Sequence, residues 1–129
     1  MKTLIVEDDF MSRKLMLAYL SPLGECDVAA NGSEAIEAFM MAKDAGKNYD
    51  LITLDIMMPE MSGQEVLKRI RRIEEEQGLV AAKIVMTTAL KDVDNVMTAF
   101  KSQCEGYLVK PIESEKLRGL LRALNLLDQ

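Results

Sequence analysis

Four short apolar runs in this 129-residue chain end in side chains of the kinds that handle cations and phosphate. Leu4-Ile5-Val6 runs into Glu7-Asp8-Asp9, and Leu51 to Leu54 runs into Asp55. Ile84-Val85-Met86 leads to Thr87-Thr88, and Tyr107-Leu108-Val109 leads to Lys110-Pro111. Taken singly, an acid after an apolar run is commonly a helix N-cap or a solvated loop residue, and a Lys-Pro pair a turn. Taken together, the carboxylates, hydroxyls and one lysine form a set with chemistry of its own. Carboxylates at close quarters raise one another's pKa, so the cluster is costly unless a cation neutralises it. With oxygen ligands and no histidine in the chain, Mg2+ suits such a cluster better than zinc or copper. Mg2+ also keeps coordination positions open to water, and those positions invite phosphate.

Whether these residues meet depends on the elements that carry them. A fifth apolar run, Cys26 to Ala30, lies between the first and the third. All five have strand length and composition. Helical spacing fills Phe10 to Leu20, Ser33 to Ala45, Gln64 to Glu76, Val93 to Gln103 and Glu113 to Leu127. Met11, Leu15, Ala18 and Tyr19 in the first helix, and Leu117, Leu120, Leu121 and Leu124 in the last, form the stripes expected to pack on a sheet. Breaks fall at Ser21-Pro22, Gly24, Asn31-Gly32 with Ser33 as an N-cap, Gly46, Pro59, Gly63, Gly78 and Pro111. The βα alternation, repeated five times, predicts an α/β doubly wound fold, a parallel sheet with helices on both faces. Ligands in such sheets bind outside the carboxyl ends of the strands, where the polar residues sit.

Composition narrows the function. Sixteen basic and twenty-one acidic residues give a formal charge of -5, which argues against a nucleic-acid surface. Cys26 and Cys104 stand far apart without histidine, so neither a zinc site nor a disulfide framework is expected. No stretch approaches a membrane span, and MKTLIVEDD places acids where a signal peptide has its apolar run, so a cytoplasmic location is expected. The length predicts one domain over residues 1–129.

The segments LIVEDD (4–9), LDIMMPEMSG (54–63), MTTA (86–89) and YLVKPI (107–112) together resemble the receiver domain of the response regulators of two-component systems, over essentially the whole chain. The resemblance implies a flavodoxin-like (βα)5 fold with strand order 2-1-3-4-5. Aligned on Arg13 and the lysine, Glu7 and Asp8 become the acidic pair, and Asp9 is left outside the metal shell. Asp55 matches the phosphoacceptor, a carboxylate nucleophile toward a phosphohistidine on a sensor histidine kinase or histidine phosphotransfer protein. Asp8 and Asp55 would ligate Mg2+ directly, Glu7 through water and Met57 through its backbone carbonyl. Lys110 would neutralise the phosphoryl oxygens, and its bond to Pro111 is commonly cis in the family.

Thr88, 22 residues before Lys110 and followed by the small Ala89, is the preferred switch hydroxyl, with Thr87 as the alternative. Tyr107 would turn from an exposed to an inward rotamer after phosphorylation. In this family, polar side chains two residues beyond the phosphoacceptor and two beyond the threonine position the hydrolytic water. Met57 and Leu90 stand there instead, so slow loss of phosphate is expected. An aspartyl phosphohydrolase would need a second acid at Met57, so the chain is read as no enzyme beyond its own phosphorylation and dephosphorylation. Output is expected through the fourth helix, fifth strand and fifth helix, with Lys91, Asp94, Lys101, Tyr107 and Lys116, to a downstream protein, and a weak homodimer is compatible. A receiver excised from a longer regulator and a phosphorelay intermediate are the alternatives. The Glu74-Glu75-Glu76 run is read as a solvated helix end without chemistry.

Overall fold

A computed structural model of the chain describes residues 1–94 and 103–128. Five strands, β1 (Lys2–Val6), β2 (Glu25–Ala29), β3 (Leu51–Asp55), β4 (Lys83–Thr88) and β5 (Gly106–Val109), make one sheet in the order β2-β1-β3-β4-β5. Every pairing is parallel, with Val6 beside Leu54, Asp55 beside Thr87 and Thr88 beside Val109. Helices α1 (Phe10–Leu20), α2 (Gly32–Asp44), α3 (Gly63–Gln77) and α4 (Ser114–Ala123) accompany the sheet, with short 3-10 turns at Ser21–Leu23 and Leu90–Asp92. The doubly wound fold and its strand order are those expected. Of the predicted helix from Val93 to Gln103, residues 95–102 lie outside the described residues, as does Lys101 of the expected output surface.

Strand alternation explains the two layers of core. Leu4, Val6, Ile52, Leu54, Ile84 and Met86 project to one face and pack with α2 and α3. Ile5, Leu51 and Val85 project to the other and meet Met16 and Leu20 of α1 and Leu117 and Leu121 of α4. Central strands buried on both sides are mostly apolar, which is why β3 reads as an apolar run broken before Asp55 only by the buried Thr53.

The stripe predicted for α1 is displaced around the helix. Met16 and Leu20 are the residues buried on the sheet, whereas Met11 is 67% and Leu15 38% exposed. Apolar residues surround most of this helix, so spacing alone could not select the inward face.

Helix starts follow from capping. Asp9 accepts from the Ser12 N–H at 2.9 Å, and Ser62 from the Glu65 N–H at 3.3 Å. At α2 the cap is Asn31, taking the Glu34 N–H at 2.8 Å, rather than the expected Ser33; Glu34 reaches back to the Ala30 N–H at 2.8 Å. Helix α3 closes on Gly78 in the left-handed region (φ 62°), with the Leu79 N–H returning to the Glu74 carbonyl at 2.9 Å. Helix α4 stops at Ala123, short of the predicted Leu127, because Asn125 takes φ 62° and Leu126 N–H closes on the Leu121 carbonyl at 2.9 Å.

Candidate functional site

The carboxyl ends of β1, β3 and β5 bring the predicted residues together. Strand β1 delivers Glu7, 3% exposed, and β3 ends in Asp55, 4% exposed, while Asp8 remains exposed. Carboxylate oxygens of Glu7, Asp8 and Asp55 lie within 4.8 Å of one another. From β5, the Lys110 ammonium reaches Glu7 Oε1 at 2.6 Å and Asp55 Oδ1 at 3.3 Å. The Lys110–Pro111 peptide is cis. Asp9 caps α1, which draws its carboxyl below the usual range through the Ser12 backbone N–H.

Neighbouring backbone fixes these groups. The Asp9 N–H donates to Glu7 Oε2 at 3.2 Å, and Arg13 Nη1 donates to the Glu7 carbonyl at 2.9 Å. Sequence reasoning used Arg13 only to align the motif, although its i+6 spacing from Glu7 across the helix start was the available signal. Gly63 was read as a break and as the last residue of the 54–63 motif, with no packing role. A methyl group placed there would stand 2.2 Å from the Asp55 carbonyl oxygen and 2.8 Å from Ile56 Cα. The first residue of α3 is thus pressed against the Asp55 backbone, with the Gly63 N–H on the Ile56 carbonyl at 2.9 Å.

Three carboxyl groups face one ammonium, so with all three ionised the cluster carries two negative charges in excess. Burial first, and then the Glu7 carboxylate beside it, push the Asp55 carboxyl well above its ordinary value despite Lys110. Burial pulls the Lys110 ammonium down, but Glu7 and Asp55 outweigh it and hold it above its ordinary value. An all-oxygen cluster with an unmet charge of two fits a hard divalent cation.

The other predicted residues surround this centre. Thr87 and Thr88 are both buried, and Thr87 pairs in register with Asp55. The Thr88 hydroxyl donates to the Ala89 carbonyl at 3.1 Å, and the Lys110 N–H donates to the Thr88 carbonyl at 2.8 Å. Met57 places its N–H 3.4 Å from Asp55 Oδ1 and leaves its side chain 63% exposed; Leu90, in a short 3-10 turn (Leu90–Asp92), is 75% exposed. Tyr107 is 38% exposed on the edge strand and lines, with Glu113 and Lys116, a depression of about 220 Å³. No helix among the described residues is long and apolar enough to cross a membrane.

A parallel doubly wound sheet with an acidic pocket and a facing lysine at its carboxyl edge defines the class of protein. The chain matches the family model "Response regulator receiver domain" over residues 3–122, and it belongs to that family, the receivers of two-component signalling. It is 36% identical over 124 residues to the transcriptional regulatory protein ResD of Bacillus subtilis (strain 168), covering 95% of this chain and 47% of ResD. It is 32% identical over 122 residues to the osmosensing histidine protein kinase SLN1 of Saccharomyces cerevisiae, covering 93% of this chain and 10% of that kinase. The chain thus spans about half, or less, of these curated relatives. Among solved structures, the response regulator protein TrrA of Thermotoga maritima, in complex with Mg(2+)-BeF, is 32% identical with a TM-score of 0.73, covering 98% of both chains. Chemotaxis protein CheY4 of Vibrio cholerae is 28% identical with a TM-score of 0.75 over the same share.

Proposed function

We propose that Asp55 accepts a phosphoryl group from a phosphohistidine of a sensor kinase or phosphotransfer protein, and that phosphorylation resets a protein-binding surface. The observation that carries this reading is the buried Asp55 carboxylate held between two further acids and the Lys110 ammonium. Asp8, Asp55 and the Met57 carbonyl would hold Mg2+, with Glu7 through water, and the ion would supply positive charge to the phosphoryl oxygens. An Asp55 carboxylate oxygen attacks phosphorus and displaces the imidazole nitrogen of a donor protonated on its other ring nitrogen, giving an aspartyl phosphate and neutral histidine. Lys110, already among the acids, exchanges carboxylate partners for phosphoryl oxygens as they arrive. Thr88, whose hydroxyl holds only the adjacent Ala89 carbonyl, turns to a phosphoryl oxygen, and Tyr107 turns inward. The exposed, apolar Met57 and Leu90 orient no water, so the phosphate persists. The chain accelerates only its own phosphorylation and dephosphorylation and is otherwise not an enzyme. It acts in the cytoplasm, where ATP-fed kinases work, and signals to a downstream protein through the surface around Tyr107 and Lys116, with a weak homodimer as a compatible arrangement.

A second reading is favoured by the relatives: residues 1–129 are the receiver part of a longer regulator, or a phosphorelay intermediate, as the partial coverage of ResD and SLN1 suggests. The test common to both readings is incubation with acetyl phosphate and Mg2+ followed by intact mass. Gain of one phosphate that needs Mg2+ and disappears in Asp55→Asn is the expected result. No incorporation from acetyl phosphate or a phosphorylated kinase would leave a receiver that signals without phosphate.

A further inference from the structure

At the amino ends of β4 and β5, the far side of the sheet from the acidic pocket, Arg71 of α3 engages all three of its guanidinium nitrogens. Nε donates to the Gln103 carbonyl at 2.8 Å. Nη1 donates to Glu74 Oε1 at 2.8 Å and to the Ala82 carbonyl at 2.9 Å. Nη2 spans the Glu105 carboxylate at 2.9 and 3.2 Å. Both carboxylates are tied onward to the sheet: the Ala82 N–H donates to Glu74 Oε2 at 2.7 Å, and the Ile84 N–H to Glu105 Oε1 at 2.6 Å. Glu74 is 5% exposed, so the first acid of the run expected to be solvated is instead a buried partner of this arginine.

The connection from Thr88 to Gly106 leaves the carboxyl end of β4 and must return to the amino end of β5. Its first residue carries the hydroxyl assigned to the phosphoryl group, and its last, residues 103 to 105, are in the grip of Arg71. Strand β5, with Tyr107, begins immediately after Glu105. A guanidinium fork is planar and pre-organised, and charge-assisted bonds in a mostly buried setting are short and directional. Closing a loop onto a sheet needs no such network. A fully paired buried charge cluster adds little net stability over an apolar one and serves better to hold one arrangement.

We propose that Arg71 is a positioning residue of the switch: it ties Gln103 and Glu105, and with them the start of β5, to α3 and β4, so that displacement begun at Thr88, which meets β5 directly through the Lys110 N–H, is delivered along β5 to Tyr107. Without the clamp, residues 103 to 105 would absorb the displacement. Coupling of this kind needs an element with two arrangements whose balance both ends bias. The inference rests on the phosphorylation-switch reading.

The test is hydrogen exchange with mass spectrometry on wild type, Arg71→Lys and Glu105→Gln, with Mg2+ alone and with Mg2+ plus acetyl phosphate, at equal phosphate occupancy checked by intact mass. Glu105→Gln keeps an acceptor for the Ile84 N–H and removes the charge, which guards against a folding defect in Arg71→Lys. In wild type, phosphorylation should change exchange both at the end of β4 and across β5. In both variants the change at the end of β4 should remain while the β5 change falls about fivefold, the low end of ordinary coupling between sites. A merely structural role would raise exchange alike in both states and leave the phosphorylation-dependent difference at β5 intact, which overturns the proposal. A phosphorylated wild type with unchanged β5 exchange would instead overturn the switch reading, and this inference with it.

Discussion

The Lys110 ammonium rests 2.6 Å from Glu7 Oε1, closer than it stands to the proposed phosphoacceptor. In the metal-free chain the lysine is therefore chiefly the counter-ion of Glu7, and it must loosen that pair to meet a phosphoryl group. Lys110→Met should lower the rate of phosphate gain from acetyl phosphate by about 10²-fold, the loss typical of one preorganised charge donor. Glu7→Gln should leave Lys110 nearer to Asp55 and weaken the Mg2+ dependence. Titrations of phosphorylation rate against Mg2+ for the two variants check both expectations.

The raised Asp55 carboxyl makes stability fall with pH. Burial and Glu7 hold it at about 8 in the folded, metal-free chain, against 3.8 as the ordinary value. Because the folded state holds the proton more tightly, its contribution is fully present below about pH 4 and is lost as pH rises toward 8. Asp55→Asn should therefore be the more stable chain at pH 8 in EDTA, by on the order of 2 kcal/mol, with the gap shrinking toward pH 4. Urea unfolding across that range measures it. Saturating Mg2+ should restore the wild type and leave the variant unchanged.

Gly63 sets how closely α3 approaches the site. With its added carbon 2.2 Å from the Asp55 carbonyl oxygen, Gly63→Ala must push helix and strand end apart. A loss of about 2–3 kcal/mol is expected, as for overpacking against backbone. Phosphorylation should slow as well, since the displaced backbone carries Asp55. Retained stability with unaltered phosphorylation would count against the close approach.

Glu60, in the loop after Asp55, has φ 69° with no glycine to relieve it. Glu60→Gly should stabilise the chain by about 1 kcal/mol, the ordinary cost of the left-handed region for an L-residue. Denaturant midpoints at constant m-value are the measurement.

Met57 and Leu90 predict a slow return to the resting state. Met57→Asn and Leu90→Gln each place an amide where a water needs orienting, and the two together should shorten the aspartyl phosphate lifetime about tenfold or more. Decay followed by intact mass after removal of the phosphodonor tests it. An unaltered lifetime would mean that the lack of a water-orienting group at these two positions is not what sets the rate.

The sheet and the acidic centre were legible because both write themselves in composition. Buried parallel strands need continuous apolar runs, and polar residues at their ends stand out against them. What escaped was decided by tertiary contact. The inward face of α1 was hidden because Met11 and Leu15 look as buriable as Met16 and Leu20. Glu74 looked like one of three solvated acids until Arg71 and the Ala82 N–H supplied its partners across a fold of the chain. The last helix was read on to Leu127, past the point where Asn125 turned the backbone. In each case the local signal was ambiguous, and a distant residue made the choice.

Placing the acidic pocket and the Arg71 cluster at opposite ends of β4 separates two kinds of inheritance. Roughly 17 Å of strand lies between Lys83 and Thr88. Substitutions at the arginine end leave the carboxylates untouched, and substitutions in the pocket leave the clamp untouched. Chemistry at one end can stay fixed while the stiffness of the linkage drifts at the other, so one phosphoacceptor can be geared to outputs of very different sensitivity.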